Sequence, residues 1–262
     1  MRNEKFILRP FETPDDHRQC EHIQAVTWSH EEVVPSNITI AMTYHGALAL
    51  GAFSSDGVML GMVFSFLSPA HVPGANKGLS HHSHMAAVLP DYRAQGVGEA
   101  LKREQATRLL AQGINLVTWT YDPLEAKNAN LNINKLGCIC RTYIENCYGE
   151  MRDSLNVGLP SDRLEVEWWL GERRAKGEER KAKGEERASR SSPFALRSSP
   201  DSIAIAIPLD FQALKKQDFE LAKNIRLKTR AQFQAAFASG YVITQFERQA
   251  DRGVYNLMQI SA

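Results

Sequence analysis

"YRAQGVGEAL", residues 92–101, is the stretch on which the fold turns. Gly96 and Gly98 are separated by one residue, Arg93 precedes them, and a helical pattern follows. A backbone that must approach a phosphate closely cannot carry side chains at the contact, and glycine removes them. The first amides of a helix lack intrahelical partners and carry partial positive charge. A pyrophosphate set there gains several hydrogen bonds and a favourable field. Arg93 adds a positive charge at the mouth. The competing explanation is an ordinary tight turn. Two nucleotide motifs are excluded: no Gly-x-Gly-x-x-Gly is present, and no Gly-Lys-Ser/Thr follows.

Outward from that stretch, the periodicities predict an ordered series of elements. "KFILRPF" reads as a first strand. Thr13 and Pro14 then mark a helix start, Thr13 as the capping acceptor and Pro14 at the first helical position. A second short helix fits "NITIAMTYH". The runs "ALALGAF", "VMLGMVFSFL" and "HSHMAAV" read as three strands. A helix to about Gln112 and the strand "INLVTWTYD" follow the glycine pair. "PLEAKNANLNINKLG" predicts a helix closed by Gly137, and "CICRTYIENCYG" and "RLEVEWWL" predict closing strands.

Residues 171–200 break the pattern. "AKGEERK" is followed directly by "AKGEERA" and then by "SSPFALRSSP". Mixed charge with few apolar anchors predicts a solvated linker or insertion. From residue 201 a β-α-β-β extension is expected: "SIAIAIP", one long helix from Phe211 to Phe237 stopped by Gly240, and the hairpin "YVITQFER"/"GVYNLMQI". Phe211, Leu214, Leu221 and Ile225 would lie near one helix face, with Phe233, Ala236 and Phe237 extending it. Residues 201–262 are few for an independent fold. They are therefore expected to dock on residues 1–170 or on a second copy of the chain, as a homodimer.

The composition is that of a globular protein, with 43% hydrophobic and 23% charged residues. A net charge of +1 offers no field for nucleic acid. No apolar run reaches the roughly 18–20 residues that span a membrane, and the N-terminus lacks a signal-peptide core. The expected setting is the cytoplasm, with Cys20, Cys138, Cys140 and Cys147 reduced. Cys138 and Cys140 have no second pair at zinc-ribbon spacing, and His82 and His84 have no evident third ligand, so no metal is expected.

"AVLPDYRAQGVGEAL" resembles the cofactor motif of the GNAT superfamily of N-acyltransferases: Arg or Gln, two residues, Gly, one residue, Gly or Ala. Here these are Arg93, Gly96 and Gly98. The element order over about residues 4–170 is similar to the GNAT order. The run from "HSHMAAV" to "NINKLG", with "WTYDPL" ending the fifth strand, looks like one subgroup of predicted acetyltransferases that also carry a C-terminal extension. The fold implied is α/β, a mixed and mostly antiparallel central sheet with helices on both faces. The domains implied are residues 1–170 for acyl-CoA binding, 171–200 as the insertion, and 201–262 as the extension.

The resemblance implies acetyl-CoA as co-substrate and a small-molecule or peptide amine as acceptor. The pyrophosphate would sit on the amides of Gln95, Gly96, Val97, Gly98 and Glu99. The pantetheine arm would pair with the backbone of Ala86, Ala87 and Val88. The thioester would point at the gap between "HSHM" and "TWTYD".

Acyl transfer to an amine needs a base, a donor for the oxyanion, and a proton for the leaving thiolate. His81, His82 and His84 are the local bases, and His84 lies nearest the proposed thioester. Strand alternation puts His82, His84 and Ala86 on one face, and His81, Ser83 and Met85 on the other. Many GNAT enzymes carry a tyrosine four residues before the helix-closing glycine; Ile133 stands at that position. Tyr121, Asp122, Tyr143 or water are the substitutes for the acid. Asp122 has two readings, a helix cap and a holder of the substrate ammonium. Asn128 and Asn132 share a predicted helix face and would bond the pantetheine amides. The departure at Ile133 keeps a second reading open, a regulatory module that binds acyl-CoA without turnover.

Overall fold

The computed structural model describes residues 6–151, 156–171 and 202–259. Nearly all of the expected 171–200 segment lies outside the described residues. The described chain forms a mixed α/β fold with mostly antiparallel strands and divides into two compact units, the boundary falling between Val117 and Thr118.

The first unit is a four-stranded antiparallel meander with three helices. Its strands are β1 (Ile7–Pro10), β2 (Leu48–Phe53), β3 (Met59–Pro69) and β4 (Leu79–Val88), paired in sequence order. Its helices are α1 (Pro14–Thr27), α2 (Ser36–Tyr44) and α3 (Val97–Ala111). Thr13 caps α1 as its sequence predicts, accepting from the amide of Asp16 while Asp16 reaches back to the Thr13 amide. Asp16 also holds a two-pronged ion pair with Arg9 at 2.8 and 2.9 Å. Burial alone would raise its pKa, but Arg9 and the amides of Glu12 and Thr13 bring it down to about 2. Cys20 and Ile23 of α1 pack on Phe53, Met59, Met62, Phe64 and Met85, which makes the apolar core of this unit.

β5 (Leu116–Tyr121) carries the boundary. Beyond it come α4 (Ala126–Ala129), a π turn over Asn130–Lys135, β6 (Ile139–Ile144) and β7 (Arg163–Trp169). The second unit continues with β8 (Ile203–Pro208), α5 (Phe211–Gln217), α6 (Phe219–Ala238), β9 (Tyr241–Arg248) and β10 (Arg252–Gln259). Its strand order is β5-β7-β6-β9-β10-β8. The C-terminal strands thus continue the sheet of β6 and β7, through an antiparallel bridge from Cys140 to Ile243.

The single long helix expected from Phe211 to Phe237 is two helices. Asp218 between them is extended, with φ −147° and ψ 93°, and its carboxylate accepts from the amide of Leu221 at 2.9 Å. An aspartate that can cap the next turn offers the backbone an alternative to continuing the first helix. Of the expected face, Phe211, Phe233 and Ala236 are buried, but the first half of the second helix differs. Leu221 is exposed, and the buried stripe of α6 is Ala222, Arg226, Thr229, Phe233 and Ala236. Apolar spacing could not disclose a stripe that contains an arginine and a threonine. Gly240 does end α6, in the left-handed region at φ +78°.

The face assignment of α6 is directly measurable. Phe233 is fully buried, stacks on Tyr143 at a centroid distance of 5.9 Å and meets Tyr255 edge-on at 5.3 Å. Phe233→Ala is expected to cost about 3–5 kcal/mol in urea unfolding. Leu221→Ala is expected to change stability by less than about 0.5 kcal/mol. Equal costs at the two positions would contradict the assigned face.

Candidate functional site

The glycine stretch forms an exposed corner between β4 and α3. Pro90–Tyr92 make a single 3-10 turn, and Arg93 then donates from Nε to the carbonyl of Val88 at 3.0 Å. Gln95 donates to the carbonyl of Asp91 at 2.8 Å. Ala94 and Gly96 both take positive φ, 61° and 86°. Gly96 is the N-cap of α3 with no side chain to serve as its cap acceptor. The amides of Val97, Gly98 and Glu99 occupy the first turn, where no intrahelical carbonyl reaches them. A Cβ built at Gly96 would meet nothing within 4 Å, and one at Gly98 only Val88 Cγ2 at 3.6 Å. The corner is therefore open to solvent, while Val97 beside it is anchored in the core.

β4 leads into this corner and alternates as its sequence predicts. Ser83, Met85 and Ala87 are buried, whereas His84 and Ala86 are exposed and His82 is half-buried. A bulge sets Ser83 and His84 together opposite the single residue Ser65 of β3. Phe66, His82 and His84 group on the open face, with ring centroids 5.5, 6.0 and 6.3 Å apart. His81 is buried, its Nδ1 3.1 Å from Ser65 Oγ, and burial pushes its pKa down to about 4. Burial also lowers His82, with His84 and Lys102 adding to the shift, and lowers His84. On the buried face Lys102 of α3 donates to Ser83 Oγ at 2.7 Å, which ties helix to strand. The first unit thus brings His84, Ala86, Ala87 and Val88 onto one strand that runs into the Arg93–Glu99 corner.

The remaining candidates lie in the second unit. Tyr121 is buried, and its hydroxyl donates to Tyr255 Oη at 3.3 Å, which donates in turn to the carbonyl of Pro123 at 2.8 Å. Burial raises Tyr121 well above the ordinary phenol range. Tyr143 is likewise raised, by burial and by donating to Asp162 at 2.7 Å. Asp122 caps the turn after β5, accepting from the amide of Leu124 at 2.8 Å. Both its oxygens are also gripped by Arg226, at 2.8 and 2.5 Å. Asn128 is exposed and Asn132 buried, because the π turn from Asn130 changes the phase between them. Asn134 exchanges hydrogen bonds with the backbone of Phe246, which explains an asparagine in this helix without any ligand. Ile133 is wholly buried. Among the described residues no group of three or more His, Cys, Asp or Glu is placed to hold a metal.

No protein-family model matches the sequence, and no curated protein does. Solved structures do share its architecture. A chain of the NatC complex bound to Gag peptide and CoA is 14% identical with a TM-score of 0.51, over 64% of this chain and 99% of that one. A GNAT superfamily phosphinothricin acetyltransferase from Sinorhizobium meliloti, in complex with AcCoA, is 17% identical with a TM-score of 0.50, over 64% of this chain and 90% of that one. At these identities the likeness establishes the fold, and the fold is that of the GNAT N-acetyltransferases.

Arg226 and Arg230 had no signal in apolar spacing, since both look like exposed helix residues. Their only sequence cue is their i, i+4 spacing on α6. Arg230 forks onto Asp162 at 2.9 Å through both Nε and Nη2, and also pairs with Glu145. Burial works against the charge of Arg226, but the attraction and hydrogen bonds of Asp122 outweigh it and raise its pKa. Removing one partner leaves a buried charge, so Asp122→Asn is expected to cost about 3–5 kcal/mol in denaturant unfolding. The double change Asp122→Leu/Arg226→Met is expected to recover at least half of that loss. A double mutant no more stable than Asp122→Asn would refute the pairing.

Proposed function

We propose that the chain is an N-acetyltransferase that takes its acetyl group from acetyl-CoA and gives it to an amine on a small molecule or a peptide. The observation that supports this most directly is the left-handed bend at Gly96, which opens α3 beside the end of β4. The residues there suit a pyrophosphate. Backbone amides from Gln95 to Glu99 face an uncluttered corner, and Arg93 supplies a positive charge. Arg93 would exchange its bond to Val88 for the phosphate, which frees the Val88 carbonyl for the pantetheine arm beside Ala86 and Ala87. When bound, the coenzyme supplies an activated acyl thioester.

His84 would act as general base. The residue is exposed at the surface while its neighbours desolvate the ring in part, which lowers its pKa and favours the neutral imidazole that can accept the proton of the acceptor amine. An amide of Ala86 or Ala87 would donate to the developing oxyanion. The leaving thiolate takes its proton from water, because Tyr121 is buried and committed to Tyr255. Four free cysteines among the described residues agree with a reducing, cytoplasmic setting.

That same burial of Tyr121 favours one rival, a module that binds acyl-CoA without turnover. Thiol release measured against a panel of amines separates the two readings.

Calorimetry with CoA tests the cofactor site. Wild type is expected to bind, and Gly98→Trp to lose at least tenfold in affinity while remaining folded, since the position has room for a Cβ. Undiminished affinity in the folded variant would remove the site from this corner. For the base, neutral His84 is the active form. The acid limb of kcat/KM is therefore expected below pH 6.5, with a plateau above it, and to vanish in His84→Gln. An unchanged limb in that variant would exclude His84.

A further inference from the structure

Residues 34–39 and the helix they open are fastened by one face of α1. Gln24 accepts from the amide of Val34 at 2.8 Å and donates to its carbonyl at 3.4 Å. Glu21 accepts from the amide of Ser36, the first residue of α2. His17 Nδ1 lies 2.9 Å from Thr39 Oγ1. These three α1 residues stand at i, i+4 and i+7, so they line one helix face. Thr39 is the only residue of α2 that is fully buried. The apolar anchors of this segment, Val34 and Met42, are only partly buried. Polar side chains therefore carry an unusual share of the attachment of α2.

The surroundings of His17 favour one arrangement of its protons. The Thr39 hydroxyl has one hydrogen and gives it to the carbonyl of Ser36 at 3.1 Å. With that hydrogen so placed, Thr39 Oγ1 accepts from His17 Nδ1–H, a bond that neutral imidazole and imidazolium both make. It is the burial of the ring that favours the neutral form. Nε2 keeps a lone pair inside a ring that is 6% exposed and packed edge-on against Phe11 at 5.1 Å. We propose that His17 makes α2 a proton-releasable strap: protonation at Nε2 frees residues 34–44 from α1 while the apolar core of the unit stays packed.

The charged surroundings of His17 are few. Its own helix supplies Asp16, already committed to Arg9, and Glu21, committed to Ser36. Arg9 and Glu12 stand near Asp16 at the start of the helix. Of the elements packed against α1, α2 carries only Tyr44 as a titratable group, and that residue is exposed. β3 carries none, β4 carries His81, His82 and His84, and the turn at residues 30–32 carries His30, Glu31 and Glu32. Burial lowers the pKa of His17, and Asp16 offsets this only in part. A histidine with a depressed pKa in the closed state binds its proton more readily in the open one. The closed state is therefore favoured above pH 6.5, and the advantage is lost as pH falls below it.

Amide hydrogen exchange at pH 7.5 and 5.5, corrected for intrinsic rates, tests the strap. Protection over residues 34–44 is expected to fall several-fold at pH 5.5, with no change in β3. His17→Asn keeps a donor near Nδ1 and removes the titration, so its protection there is expected to be independent of pH. Equal pH dependence in wild type and variant, or none in wild type, would overturn the proposal. Should His17→Asn fail to fold, the imidazole ¹⁵N spectrum of wild type decides. A neutral Nδ1–H tautomer that titrates together with the loss of protection supports the strap. An Nε2–H tautomer overturns it.

Discussion

A left-handed residue at Gly96 governs the geometry around it. It turns the chain sharply enough for α3 to begin right after the Pro90–Arg93 turns, so that its first-turn amides face open space. Any side chain at φ 86° would be strained even though nothing obstructs it. Ala94, two residues earlier, already bears such strain at φ 61°, which costs roughly 1–2 kcal/mol for an L-residue. The strained turn is held by several bonds to its flanks: Leu89 to the carbonyl of Leu60, Tyr92 to that of Leu89, and Arg93 to those of Pro90 and Val88. Strain that persists on an exposed corner, fixed by its surroundings, is where an anion cradle would be looked for.

The first unit was legible because its sequence signals are local and agree with one another. The Thr13–Pro14 start, the pleat alternation of β4 and the buried run of β2 each follow from spacing alone. The second unit hides its logic in polar residues. Phe233 and Ala236 mark the buried face of α6 correctly, but Leu221 and Ile225 misplace its first half, because Arg226 and Thr229 occupy buried positions there. The break at Asp218 depends on a capping bond that competes with helix continuation, and propensity sums do not weigh that competition. The π turn at Asn130–Lys135 shifts the helical phase, so Asn128 and Asn132 do not share the environment that a uniform helix would give them. Tyr121 reads as a candidate acid until its partner appears 134 positions later in the chain.

The buried charges of the second unit follow a consistent scheme. Asp122 and Asp162 stand at strand ends, at the close of β5 and just before β7. Each needs several donors if it is to stay ionised away from water. Asp162 receives Arg230, Tyr143 and the amide of Asn146; Asp122 receives Arg226 and the amide of Leu124. One turn of α6 therefore supplies both cations. Such pairs add little net stability over apolar packing, but they tolerate no misregister. They fix the rotation of α6 against β5, β6 and β7, which a generic apolar stripe would leave free to slide.

The histidines of β4 show how a pleat sorts identical side chains. His81, His82 and His84 lie within four residues, yet they meet three environments. His81 faces inward and its imidazolium is disfavoured so strongly, with a pKa near 4, that it stays neutral at any physiological pH. It can serve Ser65 and nothing in solvent. His82 is half-buried against Phe66 and within reach of the positive field of Lys102. His84 alone combines a neutral ring with open access. A base must be deprotonated at working pH and also reachable by the proton it takes. Strand alternation, kept through the bulge opposite Ser65, gives His84 its place on the open face. Backbone register, more than side-chain identity, decides which imidazole a substrate could meet.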